Sequence, residues 1–105
     1  MSGIAPNGVT MSEYDPKGVG GIATASITKT AANALGYATQ IEYGETVAGA
    51  ALFPCSVNAN AGTANTPQVQ ISTIALSGVW MCLGFVSPLN DAAYTNFMCN
   101  WVRVS

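Results

Sequence analysis

The chain has 105 residues: five acidic, three basic, no histidine, 11 glycines and a hydrophobic share of 50%. Only 8% are charged, against about 25% in an ordinary domain, so the clustered Lys and Arg that coat nucleic-acid phosphates or make a basic membrane-surface helix are absent. Without histidine no Ser-His-Asp or Cys-His machinery and no His-containing zinc site can be built within the chain.

High hydrophobicity with low charge is the reverse of a disordered composition. The longest strongly apolar run, Val79 to Val86, is about eight residues, where a membrane span needs about 20. The N-terminus shows no basic region followed by an apolar one, so no signal peptide is expected. What remains is one folded domain with a neutral, small-residue-rich surface, read here as partly covered by copies of itself. The alternative is a small monomer with an unusually neutral surface.

Residues 1–21 carry turn and breaker signals at short spacing: Pro6-Asn7-Gly8, Glu13-Tyr14-Asp15-Pro16-Lys17-Gly18 and Gly20-Gly21. They predict an extended arm or linker, cut from a longer parent chain, ahead of a β-rich domain over 22–105. From Ile22, apolar Ala23, Ala25 and Ile27 alternate with Thr24, Ser26 and Thr28 at period two. A short helix is expected over Thr30 to Leu35, ended by Gly36. Strands are predicted over Tyr37 to Tyr43 and over Thr46 to Phe53, the second stopped by Pro54. Asn58 to Thr66 is a small, polar, uncharged loop. After Pro67, alternation predicts a strand with one wet face. Leu76-Ser77-Gly78 turns into a strand from Val79 to Val86, Ser87 to Asp91 breaks it, and a last strand covers about Tyr94 to Val104.

Short strands at regular turns predict an all-β fold, a small antiparallel sandwich or barrel. Trp80, Cys82, Gly84 and Val86 share one strand face, and Met81, Leu83 and Phe85 the other. Both faces are apolar, which predicts a central strand covered on both sides. In the last strand Phe97, Cys99, Trp101 and Arg103 share a face, opposite Met98, Asn100, Val102 and Val104. Apolar residues on both faces again suggest burial against a partner subunit.

Candidate chemistry is sparse. Cys55, Cys82 and Cys99 form no CxxC spacing, so neither a metal nor a redox motif is expected. Cys82 and Cys99 read as small buried hydrophobes suited to a reducing compartment, and a disulfide between them is feasible if their strands are neighbours. Glu42 and Glu45 are a close acidic pair of the kind that hydrolyses glycosides when correctly spaced, with Asp91 as a third carboxylate. Their spacing around Gly44, and Asp91 beside Asn90, equally suit turn carboxylates. Lys29 is expected to be exposed. Arg103 is expected to stack on an aromatic neighbour or pair with a carboxylate, or to take part in ligand recognition. Tyr37, Tyr43 and Tyr94 can pack in the fold or stack on sugar rings. No cofactor motif is present.

Leu76-Ser77-Gly78-Val79-Trp80-Met81-Cys82-Leu83-Gly84-Phe85 resembles the L-x-G-x-W-x-C-(L/M)-G segment in the distal domains of many bacteriophage tail fibres, related prophage proteins and the adhesin tips of some conjugative thin pili. Trp101-Val102-Arg103-Val104 is similar to their closing W-x-R-(V/I). Gly44 to Pro54 is similar to their G-x-x-V-x-G-(S/A)-x-L-x-P stretch, and Glu13 to Gly18 to the Y-D-P-x-G linkers of tail fibres. Met81 departs from the polar or basic residue usual between Trp and Cys, and the Ser87 to Asn96 loop is long. The resemblance covers about the last 60 residues and implies a β-rich homotrimer at the virion's tail-fibre tip. Its partners would be an upstream fibre shaft and a host cell-surface glycan or protein, with no nucleic acid and no membrane insertion. It implies a non-enzymatic adhesin, made in the bacterial cytoplasm, without cofactor or metal. A structural virion or pilus subunit is the alternative. Loops are the natural seat of such a site, which makes Asn58, Asn60, Thr63, Asn65, Asn90, Asp91, Tyr94 and Asn96 the candidate ligand residues. Phe97 joins Tyr94 as a stacking plane. Trp80 and Cys82, which fill one core layer, and Trp101 and Arg103 are the structural candidates.

Overall fold

A computed structural model describes residues 15–59 and 67–105 of the chain. The alternating β-branched and small residues of Ile22–Thr28 form strand β1. Thr28 ends it and caps the six-residue helix α1, Lys29–Ala34, by accepting the Ala31 N–H at 3.1 Å. Gly36, at φ +98°, takes the left-handed conformation that stops the helix. The remaining strands are β2 (Thr46–Ala48), β3 (Phe53–Ala59), β4 (Pro67–Ile71), β5 (Val79–Cys82) and β6 (Asn96–Arg103).

The six strands of the described residues make one antiparallel sheet in the order β2-β5-β6-β1-β3-β4. The fold is therefore small, all-β and antiparallel, as the spacing of turns predicts. Its centre is the long β1–β6 ladder, from Ile22 opposite Val102 to Thr28 opposite Asn96. β5 joins β6 through Trp80–Arg103, Met81–Val102 and Cys82–Trp101. β3 meets β1 at two register positions only, Ala25–Pro54 and Ser26–Phe53, before running on with β4.

Opposed residues of an antiparallel pair share a face, so the register sorts the side chains. One face carries Ala25, Ile27, Val47, Trp80, Cys82, Phe97 and Trp101, and all are buried. The cover comes from Ala32 of α1 and from Ile41, Leu52, Val86 and Leu89 on connecting segments, which join them in one core cluster. The opposite face carries Ile22, Thr24, Val79, Met81, Met98, Asn100 and Val102, none of them charged. Ile22 there keeps 45% of its surface and Met98 44%. The dimensions, 48 × 42 × 21 Å, fit one sheet with one covering layer, since packed layers lie about 10 Å apart. The radius of gyration is 15.1 Å, above the roughly 13 Å of a compact domain this long.

Several expectations are corrected. Tyr37 to Tyr43 is no strand: Tyr37 N–H closes the helix end on Ala32 at 3.0 Å, and only Ile41 bridges, to Val86. Thr46 to Phe53 is broken by a 3-10 turn over Gly49–Ala51, because the chain must cross the covered face from β2 to β3. Gly49 donates to Gly78 at 2.7 Å, and a Cβ there would lie 2.9 Å from the Trp80 indole nitrogen. Pro54 does not stop a strand but lies within β3, where the β1 ladder ends. β4 has two exposed faces, Gln68 and Gln70 on one and Val69 and Ile71 on the other. β5 is shorter than expected, ending at Cys82, and the described residues cover only one of its faces. Lys29 is half-buried. Within the expected arm, residues 15–21 are consecutive turns tied to β6: Gly20 donates to Arg103 and Arg103 to Gly21, both at 2.8 Å.

Candidate functional site

The three sequence blocks of the closing domain meet around Trp80. Val47 and Arg103 flank it in register on the two neighbouring strands. Gly49 packs against its ring nitrogen. Leu76 N–H donates to Leu52 at 2.9 Å. The Trp80 indole N–H donates to the Ser77 carbonyl at 2.7 Å, so this wholly buried ring is also satisfied. Gly78, at φ +85°, makes the bend into β5, and a Cβ on it would overlap the Arg103 guanidinium. Trp101 is equally buried, yet its indole nitrogen has no hydrogen-bond partner among the described residues.

Cys82 and Cys99 stand on neighbouring strands with their Sγ atoms 3.8 Å apart, both free thiols. Burial pushes the Cys82 thiol up to about 11, with the Cys99 and Glu45 charges adding to it. Burial also raises the Cys55 thiol. Neither Cys82 nor Cys55 presents the depressed thiol of a nucleophile.

Arg103 neither stacks nor meets a carboxylate side chain among the described residues. Its Nε donates to the Ser105 carbonyl at 2.9 Å and its Nη1 to the Lys17 carbonyl. Glu42 and Glu45 lie in a turn. Glu45 Oε1 accepts the Glu42 N–H at 2.8 Å, and Glu42 Oε1 accepts from the Gln40 amide at 2.6 Å. Asp91 likewise caps its own turn, accepting the Ala93 N–H at 2.9 Å. Glu45 and Asp91 thus brace their own turns through the backbone, and Glu42 is held by a neighbouring side chain. No group of three metal-ligating side chains stands together among the described residues, and no helix there is long and apolar enough to cross a membrane.

The candidate ligand residues do not converge. Asn90, Asp91 and Tyr94 are exposed on the loop that leads into β6, and Asn96 is the exposed first residue of that strand, at the end of the sheet where it faces Thr28. Asn58 is in β3, opposite Gln68. β3 runs antiparallel to β1 and leaves it beyond Ala25, so Asn58 lies towards the other end of the sheet. Asn60, Thr63 and Asn65 lie outside the described residues. Tyr94 is 52% exposed, and its ring centroid is 6.3 Å from that of the buried Phe97 at a tilt of 47°. Tyr94 is thus open to a ligand while Phe97 props it from beneath. Tyr43 is more exposed still. Tyr37 is structural: its hydroxyl donates to Thr46 at 2.7 Å, and burial, followed by the Glu45 charge, raises its pKa.

Sequence reasoning missed Lys17 as more than an arm residue. It lines a cleft with Arg103, a partner 86 positions away, and no local pattern signals a pairing over that distance. No family model, curated protein or solved structure matches the chain.

Proposed function

We propose that the chain is a non-enzymatic host-attachment tip of a bacteriophage tail fibre, working as a homotrimer. It recognises a bacterial surface glycan or outer-membrane component through the loop holding Asn90, Asp91 and Tyr94. The observation that carries this reading is the open sheet face, whose exposed side chains are apolar or amide and hydroxyl bearing, without charge. Contiguous exposed apolar surface on a small domain marks an interaction site. Copies packed through these faces supply a second layer that the described residues of one chain do not provide, and explain a surface so poor in charge.

The remaining parts follow from the ends of the sheet. The turns at Asp15–Gly21 and the loop ahead of Asn96 lie at opposite ends of the β1–β6 ladder. A shaft joined through the arm therefore leaves the Tyr94 loop distal. The carboxylates there and at Glu42 and Glu45 are held by turns, which favours binding over acid–base chemistry.

Two measurements test the reading. Sedimentation of the full chain gives a trimer, and Met98→Lys on the open face shifts it to monomer while the fold is kept. Host-cell binding by the wild-type chain is competed by purified surface glycan and weakened by Tyr94→Ala. Binding that survives Tyr94→Ala unchanged moves the site elsewhere. A trimer without any cell binding leaves a purely structural subunit.

A further inference from the structure

Two of the three basic residues of the chain, Lys17 and Arg103, line one cleft of about 420 Å³. That is within the range of small-ligand sites, about 300–1,000 Å³. Its wall also holds the hydroxyl-bearing Ser72 and Ser77 and the apolar Pro54 and Leu76, with the buried Trp80 ring behind them, bonded to the Ser77 carbonyl. None of the described acidic residues lines it. The nearest in sequence, Asp15, is turned onto the Lys17 backbone N–H at 2.9 Å. The two cations are thus not neutralised by a carboxylate side chain of the lining.

We propose that this cleft binds a sugar residue that carries a carboxylate. Arg103 is held in place by the backbone oxygens of Ser105 and Lys17, which take two of its five N–H donors and leave three. A guanidinium fixed in this way loses little freedom on binding an anion. Lys17 is exposed and brings a second positive charge on a flexible stem. Charge-assisted bonds from these two groups suit a carboxylate. The serine hydroxyls suit ring hydroxyls, and the Pro54 and Leu76 surface suits the apolar face of a pyranose. A bare anion would use only the cations and a neutral hexose only the remainder, so both parts of the ligand are needed. The site is at the Lys17 end of the sheet, away from Tyr94, and depends neither on trimerisation nor on host attachment.

Amide-resolved NMR titration of the full chain tests it with sodium D-glucuronate, D-glucose, sodium acetate and a triglutamate peptide. Glucuronate shifts the Lys17, Ser72 and Ser77 amides and the Trp80 indole N–H saturably, while glucose and acetate each bind at least about tenfold more weakly. Lys17→Gln, an exposed change that keeps the rest of the spectrum, weakens glucuronate about tenfold, and Arg103→Lys acts in the same direction where it folds. Acetate or glucose matching glucuronate overturns the proposal. So does tighter binding of triglutamate, which makes the cleft a peptide site, or glucuronate affinity unchanged in Lys17→Gln.

Discussion

The two faces of the central sheet use similar side chains and differ in what lies over them. Trp80, Cys82 and Trp101 on one face have no exposed surface, whereas Ile22 and Met98 on the other keep 44–45% of theirs. Alternation along β5 and β6 puts an apolar residue on both sides of the strand, but among the described residues the crossing segments that carry Ile41, Leu52, Val86 and Leu89 all serve the first face. An apolar strand pattern therefore reports what a strand can bury, not what one chain buries.

The largest effect separating the faces is on stability. Trp80→Ala removes a fully buried ring and is expected to cost about 3–5 kcal/mol, read from urea unfolding. Ile22→Ala, matched in secondary structure but on the open face, is expected to stay within about 1 kcal/mol when measured on the monomer. Equal losses would mean that the second face is covered within the chain. A finer comparison sets the two indoles of the covered face against each other. Trp80→Phe breaks the bond to Ser77 and leaves that carbonyl short of a donor, so it is expected to be about 1 kcal/mol worse than Trp101→Phe. Trp101 loses ring volume but no hydrogen bond.

The smallest effect is a pH dependence centred on Cys82. In the folded chain burial raises the Cys82 thiol to about 11, from the ordinary 9.0. The unfolded chain releases that proton first as pH rises, so stability is full below about pH 9 and declines through about pH 11. Tyr37 and Cys55, also raised by burial, act in the same direction. The melting temperature should fall over this window, and Cys82→Ala, compared with its own neutral-pH value, should flatten part of the fall.

Which parts were legible in the sequence follows the same division. Period-two alternation in Ile22–Thr28 and Asn96–Arg103 correctly marks the central ladder and assigns Trp101 and Met98 to opposite faces. Gly36 marks the end of α1 because a left-handed turn is a local requirement, whereas the pattern places the start at Thr30 and leaves the Thr28 cap ahead of Lys29 unread. The crossing segments were not legible. Ile41 and Leu52 are single buried anchors without periodicity, and a β-rich composition around them imitates a strand. Gly49 is fixed by a contact with Trp80 that is 31 residues on. The candidate site suffers from the same limit: the residues of the Tyr94 loop are contiguous and easily proposed together, whereas Lys17 and Arg103 are joined only by the fold.

Arg103 has one more consequence. A single side chain holds the carbonyls of Lys17 and Ser105, so the two strands of the central ladder leave the body at one corner. A short linker bridging those positions would close 17–105 into a ring. The chain could then be reopened in the exposed turn around Ala92 without cutting the ladder, which would reverse the end of the sheet from which any attached segment departs.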